Sequence, residues 1–167
     1  MFHVKAQSLL SNRHIQTLHS SFFKPNHNLN FEIEKFTLSD DDFVDCYWLD
    51  RGQSENIVIL FHGLGGSYRS SYIQRTMQAL SQNGYSSVLM HFRGCSGRMN
   101  ELARAYHSGD TGDASEWINE VKRRYPEANI HLIGFSLGAN MLLKLLGSTK
   151  LSITSAIAIS PPIDLAL

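Results

Sequence analysis

Residues 130–143, IHLIGFSLGANMLL, are the stretch that decides the fold of this chain. The first half is a short apolar run of the kind that forms a buried strand, and the second half is rich in the helix formers Ala, Met and Leu. Ser136 stands between the two halves, with Gly134 two positions before it and Gly138 two positions after it. The stretch therefore predicts a strand, a sharp turn at the serine and a buried helix.

A Gly-x-Ser-x-Gly sequence at such a turn is typical of a nucleophile elbow, in which a strained backbone presents the serine hydroxyl above the edge of a sheet. The two glycines remove side chains that would collide where the strand and the helix run close together. The three fixed residues occur by chance in about one chain in twenty of this length, as an ordinary Gly-Ser turn. The flanking strand and helix favour the catalytic interpretation of Ser136.

The composition excludes several classes of protein. The 167 residues include 15 basic and 15 acidic side chains, so there is no excess of positive charge for binding nucleic acid. The two cysteines, Cys46 and Cys95, are too few for a disulfide framework and do not have the spacing of a metal site. We expect no metal and no cofactor. No apolar run is long enough to span a membrane, and the first residues lack the layout of a secretion signal. The expected location is cytoplasmic.

The rest of the chain alternates between predicted strands and helices. Apolar runs predict strands over 31–38, 43–49, 56–61, 86–92, 129–135 and 152–160. Helical spacing predicts helices over 71–82, from Asp110 or Thr111 to about 125, and over 137–146. From residue 56 onward this order predicts an α/β fold, a mostly parallel sheet with helices on both faces. Residues 1–30 are expected to be an N-terminal extension, with a short helix capped by Ser11 or Asn12.

Three loops allow competing interpretations. The turn Ser39-Asp40-Asp41-Asp42 could bind a cation, but a solvated hairpin tip is the better prediction. The loop at 93–97, RGCSG, has glycines like a phosphate cradle, yet its spacing fits neither the P-loop nor the dinucleotide fingerprint, so a tight turn is expected. His62 follows a central strand, and we interpret it as a structural histidine that braces its loop rather than as a general base.

Five motifs occur in order: HGLGGS at 62–67, HFRGCSG at 91–97, YHSGDTGD at 106–113, GFSLGAN at 134–140 and SPPIDL at 160–165. Together with SNRHIQT at 11–17 they resemble the YheT-like branch of the α/β-hydrolases, esterases related to the abhydrolase-domain lipases. The resemblance covers nearly the whole chain. It implies the α/β-hydrolase fold and hydrolysis of small-molecule carboxylic esters, with short to medium acyl chains or acylglycerols, without metal or cofactor.

The resemblance also implies roles for individual residues. Ser136 would be the nucleophile, and the backbone N–H groups of Leu64 and Leu137 would form the oxyanion hole. The supporting residues of the elbow and of the loop at 62–66 would be Gly134, Gly138, His62 and Gly63.

The histidines depart from the pattern of the family, whose triad follows the order Ser, then Asp or Glu, then His. Asp164 follows the last predicted strand as a possible acid, but all eight histidines lie before Ser136. We therefore expect residues 31–167 to be the N-terminal portion of a single hydrolase domain, truncated after about the sixth strand and inactive alone. The alternative is a degenerate hydrolase that binds acyl ligands, and the oligomeric state stays open. The histidines are His3, His14, His19, His27, His62, His91, His107 and His131.

Overall fold

The computed structural model describes residues 29–163, and these contain six strands and three helices. Most of the predicted N-terminal extension, including its short helix, and Asp164 lie outside the described residues. In chain order the elements are β1 (Glu32–Thr37), β2 (Phe43–Leu49), β3 (Asn56–Phe61), α1 (Ser71–Gln82), β4 (Ser86–Met90), α2 (Gly112–Arg124), β5 (Asn129–Phe135), α3 (Leu137–Ser148) and β6 (Ser155–Ile159).

The six strands form one sheet in the order β1-β2-β4-β3-β5-β6. Strand β2 runs antiparallel to both of its neighbours, whereas β4, β3, β5 and β6 are mutually parallel. Each parallel step along the chain crosses over through a loop and helix, which is the geometry that parallel pairing requires. The predicted α/β class with a mostly parallel sheet is confirmed.

The central strand β3 is covered on both faces, which explains why its sequence is continuously apolar. Its alternate residues belong to two separate clusters of the core. Ile57 and Ile59 pack on the face that carries α2 and α3. Val58 and Leu60 pack on the opposite face, where Met77 of α1 covers them. Helices therefore lie on both faces, as the sequence predicted.

The helices follow their sequence signals, except that α3 ends at Ser148 instead of the predicted residue 146, and two further details differ. Helix α1 spans the predicted residues, and Gly84 (φ +75°) closes it while Tyr85 N–H donates to Leu80 O. Helix α2 begins at Gly112, and Thr111 at its N-cap makes no side-chain capping bond. Helix α3 buries one face against the sheet, but Leu143 on its other face is 43% exposed, so the helix is less fully buried than its composition predicted.

The prediction that the acidic turn after β1 is a solvated hairpin tip is wrong for its last residue, Asp42. Asp41 is exposed in a left-handed conformation (φ +66°), but the side chain of Asp42 is fully buried. Burial alone would raise the pKa of Asp42. Main-chain N–H groups of Glu101, Phe43 and Leu102 donate to its carboxylate, outweigh the burial and hold its pKa far below the usual value.

The partner of the buried turn is Arg93, whose side chain is only 1% exposed. Its guanidinium donates to Asp42 over 2.9 Å and binds Asp113 in a bidentate pair at 2.7 and 2.8 Å. Asp40 lies 2.8 Å away at the rim. These four residues, the Arg93 cluster, tie the turn after β1, the loop after β4 and the first turn of α2 together.

The two edges of the sheet differ in their protection against association. Strand β1 carries Glu32, Glu34 and Lys35, charges of the kind that block pairing with another chain. Strand β6 carries no charge, and within the described residues nothing covers its Ile157 and Ile159, which are 53% and 40% exposed. An apolar, uncharged edge strand is a template for self-association.

We therefore expect the 167-residue chain to self-associate through β6. Ile157→Lys places a charge on this edge and should shift the protein toward the monomer in sedimentation velocity at micromolar concentration. Ile33→Lys, on the already charged β1 edge, is the matched control and should leave the assembly unchanged. A monomeric wild-type chain, or equal effects of the two variants, would contradict the expectation.

Candidate active site

Ser136 occupies the turn between β5 and α3 in a strained conformation. Its backbone angles are φ +49° and ψ −115°, outside the regions that serine normally adopts, at a cost of about 1–3 kcal/mol. Its N–H donates to Ile159 O at 2.9 Å, and its C=O accepts the N–H of Asn140 in the first bond of α3. The side chain is exposed and makes no capping bond to the helix, so the hydroxyl is directed outward.

The glycines on either side of Ser136 are required by close backbone contacts. A Cβ on Gly138 would lie 2.5 Å from His62 O and 2.6 Å from Phe61 O. A Cβ on Gly134 would lie 2.6 Å from Ala139 Cα. The start of α3 therefore packs backbone against backbone on the end of β3, which brings the loop at 62–66 next to Ser136.

The main-chain N–H groups of this loop are almost all in use. Gly63 N–H donates to Tyr72 Oη, and Gly65 N–H donates to Tyr106 Oη, each at 3.0 Å. Gly66 N–H donates to Gly63 O at 3.0 Å. The N–H of Leu64 has no acceptor within residues 29–163, which leaves it available to a ligand. Leu137 is the first residue of α3, so its N–H also lacks an intrahelical acceptor.

His62 is fully buried under this loop, and both of its ring nitrogens are engaged. Nδ1 lies 2.7 Å from Gly63 O, and the N–H of Phe92 donates to Nε2 over 3.1 Å. A carbonyl only accepts and an N–H only donates, so Nδ1 carries the proton and the ring is neutral. Burial is the main cause that lowers the pKa of His62 to about 4, against the bond to Gly63, while His91 lowers it further.

The other described histidines do not reach Ser136 either. His91 is buried, with Nδ1 3.0 Å from Asp45 O and the N–H of Tyr68 donating to Nε2. Burial lowers its pKa, and the bond to Asp45 partly opposes this. His131 lies five residues before Ser136 on β5, roughly 16 Å along the strand. His107 accepts the N–H of Gly109 in an exposed loop. Within residues 29–163, no histidine is hydrogen-bonded to Ser136.

A cleft of about 340 Å³ opens in front of Ser136 at the carboxyl ends of β3, β5 and β6. This is the edge at which open α/β sheets bind ligands. Four of its lining residues were given no role from the sequence, Phe135 and Ser160 because their motifs were assigned to other residues, and Tyr72 and Ile159 because they belong to ordinary helical and apolar patterns. Ser160 resembles Ser136 in having a positive φ (+50°) and an exposed side chain.

A second cleft, of about 390 Å³, lies at the opposite end of the sheet and has no nucleophile in a strained turn. It is formed by residues 52–55 before β3 and 124–128 before β5, at the amino ends of those strands. In the described part of the chain no three His, Cys, Asp or Glu side chains are grouped to hold a metal ion. No described helix has the length and apolar character needed to cross a membrane.

Comparison with known proteins defines the class. The sequence pattern of the α/β-hydrolase fold family matches residues 56–167. The chain therefore belongs to the α/β-hydrolase family, as its motifs predicted.

Within that family the similarity is to the YheT-like branch. The chain is 37% identical over 157 residues to YheT of Escherichia coli (strain K12), a candidate esterase by its name, and this covers 91% of the chain and 46% of YheT. It is 29% identical over 120 residues to a monoacylglycerol lipase of Saccharomyces cerevisiae, which covers 70% of the chain and 27% of the lipase. The chain spans less than half the length of both relatives.

Solved structures agree with the fold. The esterase Pf2001 of Pyrococcus furiosus superposes with a TM-score of 0.69 at 27% identity, covering 82% of this chain and 54% of the esterase. The chain is thus similar to ester hydrolases in both sequence and structure.

The close contact at Gly138 leads to a prediction with a matched control in the same helix. Gly138→Ala should lower the free energy of unfolding by about 3 kcal/mol, because the new Cβ meets two carbonyl oxygens that cannot move independently. Gly147→Ala meets nothing within 4 Å and should raise it by up to about 1 kcal/mol through better helix propensity. Urea unfolding followed by far-UV circular dichroism measures both; equal effects would contradict the packing argument.

The lowered pKa of His62 makes the free energy of unfolding depend on pH. Its folded pKa of about 4 lies below its ordinary value of 6.5, so between these values the unfolded chain binds more protons than the folded chain. Stability should therefore fall as the pH drops from 6.5 to 4, by roughly 3 kcal/mol for this group. His62→Gln should flatten the profile of unfolding free energy in that window, although His91 keeps a contribution of the same sign. An unchanged slope would contradict the assignment.

Proposed function

We propose that the chain carries the nucleophile and the oxyanion hole of a serine carboxylic ester hydrolase. The observation that supports this most directly is the conformation of Ser136, a non-glycine residue at positive φ with an exposed, uncapped hydroxyl. Strain of this kind is retained where the surrounding structure holds it, and it is typical of catalytic turns. The nucleophile elbow predicted from the sequence is therefore the favoured interpretation.

The proposed oxyanion hole consists of two backbone N–H groups from different elements. Leu64 supplies one N–H from the loop after β3, where the neighbouring N–H groups are already bonded within the protein. Leu137 supplies the other at the N-terminus of α3, where the helix dipole also favours negative charge. Preorganised donors of this kind stabilise the tetrahedral intermediate of acyl transfer more than the ground state.

The proposed reaction has two steps. Ser136 Oγ attacks the ester carbonyl carbon, the new C–O bond forms, and the alcohol leaves with a proton to give an acyl-enzyme. Water then attacks the acyl carbon, releases the acid and returns a proton to Ser136. Both steps need a group that moves the proton, and within residues 29–163 no histidine is hydrogen-bonded to Ser136. Removing such a base typically costs ~10⁴ or more in rate.

The proposed substrates are small esters with short to medium acyl chains, including acylglycerols. The apolar side chains of Leu64, Phe135 and Ile159 line the cleft, which suits an acyl chain. The names of the yeast lipase and of the archaeal esterase point to the same chemistry in those proteins. The alternative function is acyl-ligand binding without cleavage. No histidine is bonded to Ser136 within residues 29–163, and this favours binding over ester hydrolysis catalysed by these residues alone.

A fluorophosphonate probe tests the proposal. Its phosphorus should bond to Ser136 Oγ with loss of fluoride and of the serine proton, which mass spectrometry detects as one adduct on the peptide containing residue 136. Ser136→Ala should abolish the adduct. Ser160→Gly is the matched control, since it removes a second exposed hydroxyl of the same cleft and also relieves a positive φ, and it should still react.

The pH dependence of labelling separates the two functions. If no histidine reaches Ser136, hydroxide must remove the proton, and the labelling rate should keep rising with pH above neutrality. A rate that levels off near pH 7 would indicate a histidine base and a complete catalytic site. No adduct at any pH would contradict the esterase proposal and favour a protein that only binds acyl ligands.

A further inference from the structure

The hydroxyl of Tyr72 lies beside the loop that holds the proposed oxyanion donor. Tyr72 is in the first turn of α1, and its ring packs against Phe135 with the ring centroids 4.8 Å apart. Gly63 N–H donates to its Oη at 3.0 Å. Tyr72 also lines the cleft together with Ser136. The mechanism above gives this side chain no role.

A phenol has one proton to donate and an oxygen that accepts. Tyr72 Oη already accepts from Gly63 and, among the hydrogen bonds of residues 29–163, donates to nothing. Tyr106 provides the contrast on the same loop: its Oη accepts from Gly65 N–H in the same way, but Tyr106 does not line the cleft in front of Ser136. Of these two loop-bound phenols, Tyr72 is the one that lines the cleft beside Ser136.

The Tyr72 hydroxyl oxygen and the proposed nucleophile both lie close to Gly63. The point at which a Cβ of Gly63 would lie is 3.3 Å from Ser136 Cβ, 3.5 Å from Phe135 O and 3.6 Å from Tyr72 Oη. The two side chains therefore flank one small space that the glycine leaves empty. A tetrahedral centre bonded to Ser136 Oγ would therefore form in the cleft that Tyr72 also lines.

We propose that Tyr72 is a catalytic residue that donates its Oη–H to the oxyanion as a third donor beside Leu64 and Leu137. This inference rests on the proposed function, because it requires Ser136 to be the nucleophile. The proton stays on Tyr72 throughout the reaction. Because Gly63 N–H already donates to the phenol oxygen, hydrogen-bond cooperativity makes the hydroxyl a stronger donor.

A boronic acid tests the third donor without requiring turnover. Butylboronic acid forms a B–O bond to a serine hydroxyl, the boron becomes a tetrahedral anion, and the serine proton passes to water. Its charge resembles that of the ester oxyanion. The dissociation constant of the adduct with the full 167-residue chain can be measured by ¹¹B NMR for the wild type and for each variant.

Tyr72→Phe removes only the hydroxyl and should weaken the adduct about 10-fold, the effect of one hydrogen bond to a developing charge. Tyr106→Phe is the matched control, since it removes the other phenol oxygen that holds this loop, and it should change the constant less than about 2-fold. Equal weakening in the two variants would mean that Tyr72 only supports the loop, and no weakening in Tyr72→Phe would overturn the proposal.

A second replacement covers the case in which Tyr72→Phe does not fold. 3-Fluorotyrosine at position 72 is a better donor and a poorer acceptor, so it should tighten the adduct if the hydroxyl donates to the anion and loosen it if the oxygen only anchors Gly63. An error in the proposed function itself would give a different result. In that case the wild type forms no adduct, or Ser136→Ala still forms one.

Discussion

The close approach of Gly138 to the carbonyl groups of Phe61 and His62 is the constraint on which the site depends. A methyl group at this position would lie about as near to both oxygens as a hydrogen-bonded atom, with no bond to offset the contact. The missing side chain lets the N-terminus of α3 rest directly on the end of β3. Two loops that are more than 70 residues apart in sequence are thereby held at a fixed separation. The two proposed oxyanion donors lie on opposite sides of this contact, Leu64 in the loop after β3 and Leu137 at the start of α3.

The Arg93 cluster also helps to position the loop at 62–66. Arg93 is held by Asp42 and Asp113, which fixes the segment that follows β4. The preceding residue, Phe92, donates its N–H to His62, and His62 in turn bonds to Gly63 O. The buried ion pairs of Arg93 thus help to position the neutral side chain of His62. His62 in turn helps to hold the loop at 62–66 through its bond to Gly63 O. Breaking such a buried pair leaves an uncompensated charge, so the loss of either partner would destabilise this arrangement.

The sequence predicted the features that depend on local patterns, such as strand and helix positions. It failed for side chains whose environment is set by a residue far away in the sequence. Strand and helix positions followed hydrophobic spacing, and the bounds of α1 were predicted to the residue. Asp42 was wrongly predicted to be solvated, because its partner Arg93 is 51 residues away. Tyr72 gave no signal, since helical spacing identified its neighbour Ile73 as a core residue and said nothing of a hydroxyl directed at Gly63. The sharp turn at Ser136 was recognisable because the spacing of Gly134 and Gly138 reflects close backbone contacts.

Strand register explains why Ser136 and the loop at 62–66 lie together. In the parallel ladder of β3 and β5, the last residue of β3, Phe61, lies opposite Gly134, one residue before the end of β5. The residues two positions further on, Gly63 and Ser136, are then neighbours at the same edge of the sheet. One strand pair therefore positions both groups that we propose to act on an ester carbonyl. The proton-transfer groups do not belong to this pair, so the geometry at Ser136 does not depend on how a base is supplied.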